Sequence, residues 1–181
     1  MVKKIQVKDL YFEPYLTAEE IQSSVKTLAA QIEIDYQGRN PVFLSVLNGA
    51  FRFAADLARY LDLDSEWEFI KLSSYEGTKS TGKIKIASEL PDNLKGRHLI
   101  IIEDIIDTGT TMHFFLEKIK TMNPASVRLA SFLYKEEAIV HPVTIDYLCF
   151  KIPNKFVLGY GLDYDGLGRN YNNLWQLCME E

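Results

Sequence analysis

The sequence predicts an α/β fold with a central, mostly parallel sheet flanked by helices. Three observations carry that expectation. Apolar runs of strand length alternate with helically spaced segments through the middle of the 181-residue chain, the pattern of parallel crossover units. The run Leu99-Ile100-Ile101-Ile102 is apolar without interruption, as a strand buried on both faces should be. It stops at Glu103 and Asp104, and the turn Thr108-Gly109-Thr110-Thr111 then opens a helix. Open α/β sheets bind their ligands in this setting, at the carboxyl end of a parallel strand beside a helix start.

The elements follow in chain order. Thr17-Ala18-Glu19-Glu20 reads as a capping box, with Leu16 and Ile21 placed as a hydrophobic staple. Ile21, Val25, Leu28, Ala29 and Ile32 then share one helical face. After Pro41 the apolar residues 42–47 read as a buried strand, which Asn48-Gly49 breaks. Phe51, Ala54, Ala55, Ala58 and Leu61 predict a helix, and residues 67–72 a strand. Residues 73–82 have loop composition, and Ile84-Lys85-Ile86 alternates like one arm of a hairpin. The strand at 99–102 is followed by helical spacing at Met112, Leu116 and Ile119, ending before Asn123-Pro124. Residues 127–133 and 145–150 are further strand candidates. The first fifteen residues and the Gly-, Asn- and aromatic-rich tail at 156–178 have no place in the alternation and are expected to form a small second lobe.

Composition narrows the function. A 47% apolar content and a net charge of −5 fit one soluble globular domain spanning 1–181. With no basic stripe and an acidic balance, nucleic acid is not expected as a partner. Cys149 and Cys178 lie far apart, outside any metal-like spacing, and read as small apolar residues. Lys3 and Lys4 are not followed by the apolar run of a signal peptide, and no segment has membrane-spanning length, so a cytoplasmic protein is expected.

The chemistry concentrates around Asp107. A helix cap alone would account for Asp and Thr before a helix, but not for two more acids at the end of an apolar strand. Adjacent in extended backbone, Glu103 and Asp104 should point to opposite sides, so that only one of them faces a given ligand. The turn offers backbone N–H groups to a phosphate, while the acids offer oxygen ligands to a hard cation and a base to a substrate.

The stretch Ile101-Ile102-Glu103-Asp104-Ile105-Ile106-Asp107-Thr108-Gly109-Thr110-Thr111 resembles the phosphoribosyl-pyrophosphate signature of the purine phosphoribosyltransferases. It is most similar to the hypoxanthine (hypoxanthine-guanine) branch, and the likeness runs from about Pro41 to Arg169. The resemblance implies a type I phosphoribosyltransferase-like fold, with a hood built from about 1–15 and 153–181. It also implies transfer of the 5-phosphoribosyl group from phosphoribosyl pyrophosphate (PRPP) to hypoxanthine and guanine, giving IMP or GMP and pyrophosphate. Mg²⁺ would be the cofactor and a homodimer or homotetramer the assembly. Two alternatives remain: a PRPP- or nucleotide-sensing regulator on the same fold, and a xanthine-preferring enzyme.

The same resemblance assigns roles. Asp107, Thr108, Gly109, Thr110 and Thr111 would bind the 5-phosphate of PRPP, and Asp107 would take a proton from the purine ring. Glu103 and Asp104 would meet the ribose hydroxyls, partly through the metal. Leu47-Asn48-Gly49 matches the pyrophosphate loop, where relatives carry a strained, sometimes cis, peptide and many have a basic residue in place of Asn48. Ser74-Tyr75 matches a mobile lid that keeps water from the reacting sugar. Lys135 would donate to the purine 6-oxo group and so disfavour adenine. In the second fingerprint, at 154–164, Phe156 would stack on the purine, the Val157 backbone would bond its edge, and Asp163 would help hold Mg²⁺. Arg169 would reach the pyrophosphate, although Gly166, Gly168 and Asn170-Tyr171-Asn172-Asn173 depart from the family pattern.

Overall fold

The first helix begins where its capping chemistry places it. Thr17 Oγ1 accepts from Glu20 N at 3.2 Å, and Glu20 Oε2 accepts from Thr17 N at 2.8 Å. The helix α1 (Ala18–Tyr36) buries Ile21, Val25, Leu28, Ala29 and Ile32 along the predicted face. The structure is a computed structural model, and it describes residues 4–74, 84–86 and 90–178.

Behind α1 the chain alternates as the apolar runs dictate. The strands are β1 (Ile5–Val7), β2 (Leu10–Leu16), β3 (Val42–Leu47), β4 (Glu66–Ser74), β5 (Ile84–Ile86), β6 (His98–Ile106), β7 (Ser126–Tyr134), β8 (Tyr147–Lys151), β9 (Val157–Leu158) and β10 (Leu174–Leu177). Helix α2 (Phe51–Tyr60) lies between β3 and β4, and α3 (Thr110–Lys120) between β6 and β7.

Among the described residues the main sheet has the order β5-β4-β3-β6-β7-β8. All its pairings are parallel except that of β5, which lies antiparallel to β4 as a hairpin arm would. A second, antiparallel sheet, β1-β2-β10-β9, joins the two ends of the chain into the expected small lobe.

Both faces of the sheet are dry at its centre, along β6. Ile100 and Ile102 pack with residues of α1 and α2, while Leu99 and Ile101 pack with Met112, Phe115 and Ile119 of α3. This is why the centre of β6 is an unbroken apolar run. Strand β3 has β4 on one side and β6 on the other, so the chain reverses its direction across the sheet between β3 and β6. The β3–β6 ladder ends at Ser45↔Ile102, whereas β6–β7 pairing continues to Ile106↔Tyr134. The two strands therefore part at their carboxyl ends and leave a crevice at the switch point, the standard ligand position of such sheets.

Three expectations change in detail. Strand β6 does not stop at the acids but carries them inside it. The buried face of α2 is Phe53, Ala54 and Leu57, while Phe51 is exposed, as are Ala55 and Ala58. Alanine carries too little apolar surface to define a face, and Phe53 with Leu57, four apart, sets the seam. Strand β8 starts only at Tyr147, because Asp146 Oδ2 accepts from Leu129 N at 2.8 Å and takes a ladder position with its side chain.

Ile101→Ala removes a fully buried side chain from the α3 side of the sheet. It should lower unfolding stability by about 2–5 kcal/mol, read from the urea midpoint at unchanged denaturant slope.

Candidate active site

At the crevice one cavity of about 360 Å³ opens between three segments. Asn48 and Gly49 line it from the end of β3. Glu103, Asp104, Asp107, Thr108, Gly109, Thr110 and Thr111 line it from the end of β6 and the start of α3. Asp163 and Arg169 reach it from the segment between β9 and β10.

Both adjacent acids face this one cavity, which corrects the expectation that only one could. Strict alternation is broken here: Ile105 packs on the α1/α2 side with Ile100 and Ile102, and Ile106 on the α3 side with Leu99. The β6–β7 register is unchanged from Glu103↔Ser131 to Ile105↔Leu133, but Asp104 and the facing Phe132 are left out of the ladder. Glu103 Oε2 is buried and has no hydrogen-bond partner among the described residues. Burial raises the Glu103 carboxyl well above its usual range, and the neighbouring Asp104 charge adds to this. Burial also raises Asp104 to about 6, against the hydrogen bond that its Oδ1 accepts from Ile105 N at 2.9 Å and against the positive charge of Arg169.

Glycines let backbone crowd these acids. A Cβ on Gly49 would fall 1.5 Å from Asp104 Oδ2, and a Cβ on Gly161 would fall 2.0 Å from the Gly49 carbonyl oxygen. The pyrophosphate-loop candidate is thus pressed between the acidic strand end and the tail. Its Leu47–Asn48 peptide is cis. Arg169 is tied into place by Asp163 Oδ1 at 2.6 Å and by donation to Gly161 O at 2.7 Å. Asp163 Oδ2 accepts from Gly166 N at 2.7 Å.

The tail around Asn170–Asn173, which departs from the family pattern, is anchored by partners of its own. Arg52 donates to Asn170 O at 2.9 Å and to Asn172 Oδ1 at 2.9 Å, and Asn173 Oδ1 accepts from Ala18 N at 2.9 Å. Arg52 also lies over the Tyr160 ring, whose hydroxyl donates to Asp56 Oδ2 at 2.7 Å.

Lys135, Phe156 and Val157 do not line the cavity but stand beyond it. The Lys135 ammonium is buried and pairs with Asp107 Oδ2 at 2.9 Å, which brings it to the end of the signature. Phe156 is 43% exposed, with Phe12 and Tyr164 as ring neighbours, and Val157 is buried in the main core with residues of α1 and α2. Ser74 ends β4; Tyr75 and most of the expected lid lie outside the described residues.

The profile of the phosphoribosyl transferase domain matches residues 13–165. The chain belongs to the phosphoribosyl transferase family. It is 43% identical over 157 residues to a hypoxanthine-guanine phosphoribosyltransferase of Streptococcus pneumoniae, covering 86% of each chain. It is 40% identical over 153 residues to a hypoxanthine-guanine-xanthine phosphoribosyltransferase of Tritrichomonas foetus, covering 84% of each. The solved hypoxanthine phosphoribosyl transferase of Trypanosoma cruzi superposes with a TM-score of 0.88 at 35% identity, over 96% of this chain and 95% of that one. That structure addresses how its C-terminal region affects oligomeric state and activity.

Two family-site neighbours escape a reading of the sequence. Gly161 lies in a glycine-rich tail whose fold periodicity does not predict. His141 Nδ1 lies 3.1 Å from Thr110 Oγ1 although 31 positions separate them. The available hint was only that a loop after a parallel strand returns at the ligand end of the sheet.

The raised Asp104 carboxyl has a definite stability sign. Its folded value lies above the usual one, so the folded state binds the extra proton between about pH 4 and 6. Stability falls as pH rises through that window, and the loss persists above it. Asp104→Asn should therefore raise the melting temperature of the ligand-free protein at pH 7.5, by roughly 3–8 °C. The gain should shrink towards pH 4, as checked by thermal unfolding across pH.

Proposed function

We propose that this phosphoribosyl transferase is a purine salvage enzyme. It transfers the 5-phosphoribosyl group of PRPP to hypoxanthine and guanine, with IMP or GMP and pyrophosphate as products. The observation that carries this is the convergence of the signature acids and Thr-rich turn with Gly49 and Arg169 on one switch-point cavity. The names of the relatives favour a catalyst over a PRPP-sensing regulator.

In this reading the 5-phosphate rests on the N–H groups and hydroxyls of residues 107–111, at the start of α3, where the helix dipole favours an anion. The pyrophosphate lies against the Asn48-Gly49 backbone and the Arg169 guanidinium. The ribose hydroxyls meet Glu103 and Asp104. The donor set fits Mg²⁺: Glu103 Oε2 is buried and unpartnered, and the Asp104 and Asp163 carboxylates line the same cavity. Among the described residues no cluster of three or more acids, His or Cys could hold a cation unaided, so substrate oxygens and water would complete the shell. When bound, the ion neutralises charge on the departing pyrophosphate.

Lys135 and Asp107 read the base together. The 6-oxo oxygen and N7 are neighbours on one purine edge. The Lys135 ammonium donates to the oxo group, while the Asp107 carboxylate, 2.9 Å from it, accepts the N7 proton. The N9–ribose bond forms as the bond from ribose to pyrophosphate breaks, and the proton moves from N7 to Asp107. Phe156 offers an exposed ring for stacking on the purine. Ser74 and Tyr75 belong to the closing lid. The lobe of segments 1–15 and 153–181 acts as the hood of a single domain. The working form in this reading is a cytoplasmic homodimer or homotetramer.

Steady-state kinetics with hypoxanthine, guanine, xanthine and adenine, PRPP and Mg²⁺ test the reading. Turnover of the first two and none of adenine is expected; tight PRPP binding without turnover of any base would favour the regulator. Asp107→Asn should lower kcat by about a hundredfold or more while PRPP still binds. Gly49→Ala, whose methyl would displace the Asp104 carboxylate, should lower kcat/KM for PRPP by roughly a hundredfold with the far-ultraviolet circular dichroism unchanged.

A further inference from the structure

The turn assigned to the 5-phosphate carries hydroxyls but no cation of its own. Among the described residues lining the cavity the cation is Arg169, which is already engaged by Asp163 and the Gly161 carbonyl. Hydroxyl orientation therefore matters more than it would beside a lysine.

A histidine stands behind that turn. The segment ending at His141 is bonded to the back of the turn: Val140 N and His141 N both donate to Thr108 O, at 2.9 and 3.0 Å. The His141 carbonyl lies 2.1 Å from where a Gly109 Cβ would stand, so no side chain separates the two segments. From this position His141 Nδ1 is 3.1 Å from Thr110 Oγ1, which also accepts from Thr108 Oγ1 at 3.1 Å.

The count of donors and acceptors then decides where the single Thr110 proton goes. A hydroxyl has two lone pairs and one O–H. When Nδ1 carries a proton, it and the Thr108 hydroxyl fill both lone pairs, and the Thr110 O–H is left to point into the cavity. When Nδ1 is bare, the Thr110 O–H turns to it, and the cavity loses that donor.

We propose that His141 is a positioning residue for the phosphate cradle: its Nδ1–H sets the Thr110 hydroxyl to donate to the 5-phosphate of PRPP, most fully when the imidazole is protonated. This rests on the assignment of residues 107–111 to the phosphate. Protonation adds a positive charge one hydrogen bond behind the anion, in a turn without a basic side chain. The groups packed on His141 are the rings of His113 and Phe114 from α3, with centroids at 5.2 and 5.5 Å, and the Thr108 and Thr110 groups of the turn. His113 in turn feels Glu117, one turn further along α3.

The test is the Michaelis constant for PRPP from pH 6 to 9 in the wild type and in His141→Ala, His141→Asn and Thr111→Ala. In the wild type KM for PRPP should be about three- to tenfold lower with His141 Nδ1 protonated than with it bare. Ionisation of the phosphate itself acts in the opposite sense and is common to all variants. His141→Ala should raise KM for PRPP about tenfold at pH 6.5, the effect of losing one hydrogen bond to a charged group. Its kcat and its KM for hypoxanthine should stay within about twofold, and its pH profile should lose the rise. His141→Asn keeps an N–H near the Nδ1 position and should hold KM near the wild-type value but without the rise with pH.

A His141→Ala enzyme with the wild-type KM and profile would overturn the proposal, as would equal losses in kcat and both KM values. Thr111→Ala separates the two levels. If it weakens PRPP binding while the His141 variants do not, the positioning role alone fails. If it leaves PRPP binding intact, the phosphate assignment falls and the role of His141 with it.

Discussion

Two carboxylates at the end of an isoleucine-lined strand are the constraint around which this molecule is arranged. The β6 run, itself dry on both faces, delivers Glu103 and Asp104 into a place where charge is poorly solvated. A fold built for stability alone would not put acids there. They persist because a ligand-side cavity faces them and because the neighbouring segments contribute backbone in preference to bulk. Gly49 and Gly161 are that backbone: each sits where a methyl group would collide with the next layer, Asp104 for the first and the Gly49 carbonyl for the second.

The tail completes this arrangement from the other lobe. Arg169 brings the opposing charge, and Asp163 and the Gly161 carbonyl fix its direction. What holds the tail against the sheet is a set of polar contacts at one joint. Gln22 and Tyr160 both donate to Asp56, Arg52 gathers the Asn170–Asn172 stretch, and Asn173 ties to the first residue of α1. Burial and its bond to Asp56 hold the Tyr160 hydroxyl protonated far above its usual range, so it remains a donor at any physiological pH. The position of Arg169 relative to the acids is therefore decided more than 100 residues away in sequence, on α1 and α2.

Much of the main sheet was legible because its signals are local. The Thr17 capping box, the unbroken run at 99–102 and the turn after it depend on neighbours within a few residues, and the structure has them there. The site was legible where the signature is contiguous: 103, 104 and 107–111 share one cavity with 48, 49, 163 and 169. What escaped depends on register or on distant packing. The break in pairing at Asp104, where two adjacent acids turn to one cavity, leaves no trace in composition. The face of α2 was misphased because three alanines count as apolar yet weigh little. The contact of His141 with Thr110 joins two loops that only the finished sheet brings together.

The order of strands in the small lobe bears on how the protein is made. Strand β10 lies between β2 and β9 and bonds to both, although it follows every other described strand in the chain. During translation β2 leaves the ribosomal tunnel well before β10, and beyond its pairing with β1 it waits without its neighbour on the other side until residues 174–177 have emerged. For that interval the parallel core can assemble while the lobe above it cannot. A nascent chain thus passes through a stage in which Phe12, fully buried in the finished lobe, is uncovered, and chaperones that bind exposed aromatic segments have their opportunity there.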